Sequence, residues 1–166
     1  MALFSKLFGK QEEVSSEVMI GAPLSGTLIT LSEVPDQVFS SGVLGLGCGI
    51  EPNSNEVVAP CDGIITMVAE TKHAIGMTAK NGAEFLIHVG IDTVDMEGEG
   101  FTIEVEENQK VTKGQLLMTF DPVVIASADH PKTTVFIVTN HDELSSVNFE
   151  DGKVVSLGDE IGVVTK

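Results

Sequence analysis

Two histidines, His73 and His88, lie on either side of Lys80-Asn81-Gly82, a tripeptide with the composition of a hairpin turn. If Lys80 and Asn81 form the loop, His73 pairs directly with His88, and directly opposed β-carbons sit about 5 Å apart. A slip of one residue would send the two rings to opposite faces. In the paired register one face carries Ala74, Gly76, Phe85, Ile87 and Val89 and reads as core. The other carries Thr71, His73, Ile75, Met77, Glu84, Leu86, His88 and Gly90. An apolar face that holds two titratable rings reads as a docking site. Neutral imidazole is a good nucleophile near pH 7 and leaves readily in the reverse direction, so such a pair suits covalent group transfer. Thr71 lies two residues from His73 and can fix that ring's tautomer, and Gly90 is expected to leave room for a tetrahedral group. The plainer alternative is two unrelated strand histidines satisfied by backbone.

The rest of the composition restricts what the pair could handle. The 166 residues carry a net charge of −16, and all nine basic residues are lysines. Nucleic-acid binding requires a positive footprint, which this chain lacks. With no arginine, no guanidinium clamp on a phosphate can come from the chain itself. Cationic help must come from backbone amides, lysine, a metal or a partner. Cys48 and Cys61 have no metal or redox spacing and read as small buried hydrophobes. His130 and His141 read as surface residues, and the acidic run Asp95, Glu97, Glu99, Glu104, Glu106 and Glu107 as a solvated face.

The elements that must position the pair are strands. Seventeen glycines and six prolines punctuate short apolar runs, the pattern of an all-β chain. Ala22-Pro23-Leu24-Ser25-Gly26-Thr27-Leu28-Ile29 recurs as Ala59-Pro60-Cys61-Asp62-Gly63-Ile64-Ile65-Thr66, and Val111 to Leu116 recurs as Val155 to Glu160. Each copy is a turn leading into a strand. The expected fold is an antiparallel β-sandwich, barrel-like, with pseudo-duplicated turn–strand motifs and little helix. Strands are predicted at Phe85–Val89, Phe101–Val105, Leu116–Phe120, Thr133–Thr139 and Ile161–Val164, with one short helix near Asp121–Asp129 that Pro131 closes. Gly45-Leu46-Gly47-Cys48-Gly49 reads as a flexible connection at a sheet edge. Residues 1–17 read as a tail and 18–166 as the folded unit. Leu3, Phe4, Leu7 and Phe8 would share one helical face, suited to weak contact with a lipid surface, or would simply fray. No apolar run is long enough to span a membrane.

Several segments together resemble the glucose-type enzyme IIA family of the bacterial phosphoenolpyruvate-dependent sugar phosphotransferase system. They are Thr71-Lys72-His73-Ala74, Leu86 to Val94, Gly98-Glu99-Gly100-Phe101, Ala59-Pro60-Cys61-Asp62-Gly63 and Val34-Pro35-Asp36, and the likeness runs from about residue 19 to the C-terminus. The resemblance implies an antiparallel sandwich with two histidines side by side. It implies that His88 carries the phosphoryl group on Nε2, and that His73, bonded to Thr71, supports transfer. It implies a cytoplasmic protein, at most peripheral at the inner face of the membrane. The donor would be the histidine-phosphorylated carrier protein HPr, and the acceptor a cysteine of the enzyme IIB/IIC sugar permease. Regulatory proteins could bind according to phosphorylation state. The docking surface is expected to include Asp36, Asp92, Ile75, Met77, Leu86 and Val89. Ile75 and Val89 stand where aromatic residues often ring the site, and Asp95 where a glutamate is common. No cofactor is required, although zinc could be held by His73 and His88 if a partner supplied a carboxylate.

Other classes fit less well. A zinc peptidase would be expected to show His-x-His and an upstream His-x-x-x-Asp, but Val89 and Gly90 follow His88 and no His-x-x-x-Asp occurs upstream of it. A biotin or lipoyl carrier presents a lysine with a recognisable flank, which Lys80 lacks. A regulatory binding protein without chemistry remains compatible with the same exposed face.

Overall fold

The computed structural model describes residues 16–166, so the candidate lipid-binding segment at residues 1–10 lies outside the described residues. The chain opens with β1 (Glu17–Gly21), β2 (Gly26–Thr30), a single-turn helix α1 (Gln37–Ser40), β3 (Leu46–Pro52) and β4 (Glu56–Val58). The middle contains β5 (Gly63–Val68), β6 (Ala74–Ala79), β7 (Glu84–His88), β8 (Phe101–Ile103), β9 (Lys110–Val111) and β10 (Leu116–Phe120). The helix α2 (Pro122–Ser127) follows, then β11 (Thr134–Val138), β12 (Ser146–Phe149), β13 (Val154–Val155) and β14 (Glu160–Thr165). Asp121 caps α2 by accepting from Val123 N, and Pro122 supplies the fixed φ that suits a first turn.

The strands form an eight-stranded antiparallel sheet in the order β13-β2-β3-β11-β7-β6-β5-β9, with two three-stranded sheets, β1-β14-β12 and β4-β10-β8. The expected antiparallel sandwich is what the chain forms. Its main core lies between the large sheet and the two small ones, with Ile20, Leu117, Met118, Phe120 and Ile161 from the small sheets meeting Ile75, Met77, Phe85, Ile87 and Phe136. A second, smaller cluster of Val34, Phe39, Ile91, Val135 and Ile137 covers part of the opposite face of the large sheet.

The duplication extends well beyond the two turn motifs. β1, β2, β3, β11, β12, β13 and β14 form one half, and β4 to β10 form the other, each half giving four strands to the large sheet and three to a small one. Gly26 pairs with Val155 as Gly63 pairs with Val111. The halves also grip each other reciprocally: Val58 N donates to Pro23 O at 2.8 Å, and Gly21 N donates to Pro60 O at 2.9 Å. They meet along β7 and β11, where His88 pairs with Val135 and Leu86 with Ile137.

Two sequence expectations need correction. Leu46–Pro52 is no edge connection but an interior strand between β2 and β11. Its alternating glycines serve packing: a Cβ at Gly49 would lie 2.7 Å from both Ile29 Cγ1 and Val34 Cγ2. The hairpin register is also one residue from expectation, with Ala74, not His73, opposite His88. The loop is three residues, Lys80 to Gly82, closed by Ala79 N to Ala83 O at 2.8 Å and Gly82 N to Ala79 O at 3.0 Å. Gly82 has φ of +93°, the left-handed residue that ends such a loop.

Candidate functional site

His88 ends β7 on the face of the large sheet away from the main core. Its row across the sheet reads Ala74, His88, Val135, Gly49. The small Ala74 leaves room beside the ring on one side, and Val135 flanks it on the other. His73 reaches the same place by a different route. Its carbonyl accepts from Val89 N at 2.8 Å, so strict alternation would send its ring to the core side. It lies instead at the end of the loop between β5 and β6, after Lys72, which has φ of +61°. The departure from the pleat brings the two imidazoles together, with ring centroids 4.7 Å apart and planes at 82°.

Each ring is held at Nδ1. Thr71 Oγ1 lies 2.9 Å from His73 Nδ1. His88 Nδ1 lies 2.9 Å from the carbonyl oxygen of Gly90. A carbonyl only accepts, so His88 Nδ1 carries the proton and its Nε2 keeps a free lone pair. Burial first, and the neighbouring charge of His73 second, push the His88 pKa down to about 4, while the Gly90 bond and Asp36 work the other way. Burial also lowers that of His73. Both rings are therefore neutral near pH 7, the form in which imidazole is nucleophilic.

The third wall of the site was not legible as such. Phe39 of α1 packs edge-on to His88, with ring centroids 4.9 Å apart and planes at 60°. Asp36 fixes that helix by accepting from Val38 N at 2.9 Å and Phe39 N at 3.3 Å. The signal was available: an Asp after Pro35, followed by an apolar residue three positions on, is an N-cap pattern. The connector that carries α1 also exposes Val38, Val43 and Leu44, and Val94 is exposed in the loop after β7.

The structure separates the expected docking residues. Asp36 lies close enough to influence His88, and Asp92 is exposed four residues beyond it. Leu86 is partly buried against the smaller cluster under the site. Ile75, Met77 and Val89 are at most 1% exposed and belong to the main core, so they offer nothing to a partner. The one-residue register change is the cause for Ile75 and Met77, which it moves opposite Ile87 and Phe85 on the inner face; Val89 lies on that face in either register. Gly90 does not leave an open space either; Thr93 fills it. His130 is not a free surface residue: its Nε2 lies 2.6 Å from Asp95 Oδ1.

Burial pushes both thiols, Cys48 and Cys61, up to about 12, which removes them as nucleophiles. Among the described residues no three of His, Cys, Asp and Glu gather as a metal site. A closed zinc site takes four ligands, so His73 and His88 do not make one by themselves, and the expectation of zinc there finds no support. No helix among the described residues is long and apolar enough to cross a membrane.

Comparison with known proteins assigns the chain to a family. Residues 18–144 match the family model for the phosphoenolpyruvate-dependent sugar phosphotransferase system, EIIA 1. The chain belongs to that family. It is 42% identical over 156 residues to the PTS system glucose-specific EIIA component of Haemophilus influenzae, covering 94% of each chain. The corresponding component of Staphylococcus epidermidis is 40% identical over 157 residues, with 95% of each covered. Among solved structures, the glucose permease IIA from Mycoplasma capricolum superposes with a TM-score of 0.80 at 36% identity, covering 89% of this chain and 95% of that one. The chain is thus a component of a phosphotransferase system with the sandwich fold of its EIIA relatives.

Proposed function

We propose that the chain carries a phosphoryl group on His88 Nε2, between the phosphohistidine of HPr and a cysteine of enzyme IIB. The bond from His88 Nδ1 to the Gly90 carbonyl supports this reading above all, because it leaves Nε2 as the nucleophilic nitrogen. On loading, the Nε2 lone pair attacks phosphorus, the donor's N–P bond breaks, and its electron pair returns to the donor ring. On delivery, a thiolate attacks phosphorus and the His88 N–P bond breaks, returning its pair to Nε2. Such transfers depend mainly on alignment and charge stabilisation. His73, held at Nδ1 by Thr71, would direct Nε2–H at a phosphoryl oxygen. The chain has no arginine, so the cation beside the transferring group would come from the donor, received at the edge of the site by Asp36 and Asp92. The exposed apolar residues of the α1 connector suit a docking surface for both partners and for regulatory proteins that distinguish the phosphorylated state. These roles suit a cytoplasmic protein, and the relatives' names point to glucose as the sugar.

The test is incubation with phosphoenolpyruvate and the two upstream phosphotransferase proteins, read by intact mass. One acid-labile phosphoryl group is expected on the wild type. A folded protein that stays unlabelled would overturn the reading.

A further inference from the structure

We infer that Thr93 is a positioning residue for His88: it locks the turn whose carbonyl sets the tautomer of the phosphoryl-accepting ring. The inference rests on the proposed role of His88 and adds a residue whose hydrogen bond goes to the backbone and to neither ring. Thr93 is completely buried between the exposed Asp92 and Val94. Its hydroxyl donates to the Val89 carbonyl at 2.5 Å, a short bond for its type. Its methyl lies against Gly90, where a Cβ would overlap Thr93 Cγ2. Gly90 has φ of +82°, a conformation that residues with a Cβ rarely adopt.

These contacts form one device. The peptide between Val89 and Gly90 is pinned through its carbonyl by the Thr93 hydroxyl. With that peptide fixed and Gly90 left-handed, the Gly90 carbonyl turns back toward His88 Nδ1 at 2.9 Å. The segment between α2 and β11 closes the turn from outside, because Ile91 N donates to Pro131 O at 3.0 Å. If the Thr93 bond is lost, the Val89 carbonyl loses its buried partner and the turn can rotate to find another. The Gly90 carbonyl then stops selecting the Nδ1–H form, and the ring samples the Nε2–H tautomer, which has no lone pair at the position facing the donor.

The test compares Thr93→Ser, which keeps the hydroxyl, with Thr93→Val, which keeps the shape and loses it. Long-range proton–nitrogen NMR of the imidazoles in the unphosphorylated full chain reads the His88 tautomer directly, and phosphorylation by the upstream proteins is timed in parallel. Thr93→Ser should keep a single Nδ1–H tautomer and a rate within about twofold of wild type. Thr93→Val should show a tautomer mixture and phosphorylate about tenfold more slowly. A wild-type tautomer and rate in folded Thr93→Val would overturn the inference. If Thr93→Val does not fold, the coupling with Gly90 decides. Gly90→Ala should disturb the tautomer, and Gly90→Ala with Thr93→Ser should restore part of it, because the overlapping methyl is gone. Equal disturbance in the single and double variants would contradict the inference. A wild-type protein with the Nδ1–H tautomer that is never phosphorylated would sink the carrier reading and leave the positioning role of Thr93 intact.

Discussion

The two halves of the large sheet present the same scaffold with different contents. In the half formed by β4 to β10, the outer face carries His88 with Ala74 beside it; in the other half the corresponding pair is Ile137 with Gly47. His73 precedes Ala74 just as Leu46 precedes Gly47, so His73 and Leu46 also correspond. The larger difference lies in the connectors. β5 and β6 are joined by a tight loop ending in His73, whereas β2 and β3 are joined by residues 31–45, which carry Asp36 and Phe39. Each connector sets a ring against His88, His73 from the short one and Phe39 from the long one. Duplication supplies the platform, and the site is made where one short connector from one half and one long connector from the other converge on the join.

Exchanging residues across the correspondence is the sharpest way to break this comparison. His88→Ala should abolish phosphoryl acceptance, while Ile137→Val should cost about 1 kcal/mol of stability and leave acceptance unchanged. Radiolabel transfer from phosphoenolpyruvate checks the first and denaturant unfolding the second. Ile137→His should gain no label, because nothing on its side reproduces the Gly90 turn. Next in size, His73→Gln should still accept a phosphoryl group but pass it to the enzyme IIB cysteine at least about tenfold more slowly, and Leu46→Ala should shift stability by no more than about 0.5 kcal/mol. Rapid-quench transfer at equal loading separates the two. Onward transfer at the wild-type rate in His73→Gln would make His73 a bystander.

Acid stability gives a third contrast between the halves. His88 is lowered from 6.5 to about 4 in the folded chain, so the unfolded chain takes its proton first as pH falls. Stability is then complete above about pH 6.5 and declines as pH falls toward 4, by on the order of 3 kcal/mol. His88→Asn should flatten that part of the profile, and Ile137→Val should not. Urea midpoints measured between those pH values would show it, and parallel slopes in wild type and His88→Asn would contradict the assignment of the buried ring.

The smallest effect expected is at the rim. Asp36→Asn with Asp92→Asn should slow phosphorylation by HPr several-fold at low salt and less at high salt, with little loss of stability, since Asn caps a helix nearly as well as Asp. Stopped-flow rates across an ionic-strength series are the measurement. An unchanged salt slope would move the encounter surface to other acids such as Glu97 and Glu99.

How much of this was legible depends on where each feature is written. The strand β10 is read to the residue from its apolar run, and β7, β11 and α2 to within a residue or two, because periodicity and caps are local signals. The histidine pair was legible as a pair, but the hairpin between them was read one residue short. Lys80-Asn81-Gly82 supports either a two- or a three-residue loop, and the choice rests on Gly82 alone. The two errors in the His73 segment compensate: the register sends His73 inward, and the left-handed Lys72 brings it back. A lysine in that conformation leaves no mark in the sequence. β6 misled for another reason, since it is covered on both faces and its residues show no alternation to read. Phe39 was missed because its contact with His88 joins two distant parts of the chain, which no local pattern records.

The central claim is that Nε2 of His88, freed by the Gly90 carbonyl, carries the phosphoryl group. The most direct measurement is the proton–nitrogen and phosphorus NMR of the phosphorylated, nitrogen-15-labelled chain, which distinguishes the two ring nitrogens and the two histidines at once. The expected result is phosphorus bonded to Nε2 of His88, with Nδ1 still protonated. Phosphorus on Nδ1, or on His73, would contradict it.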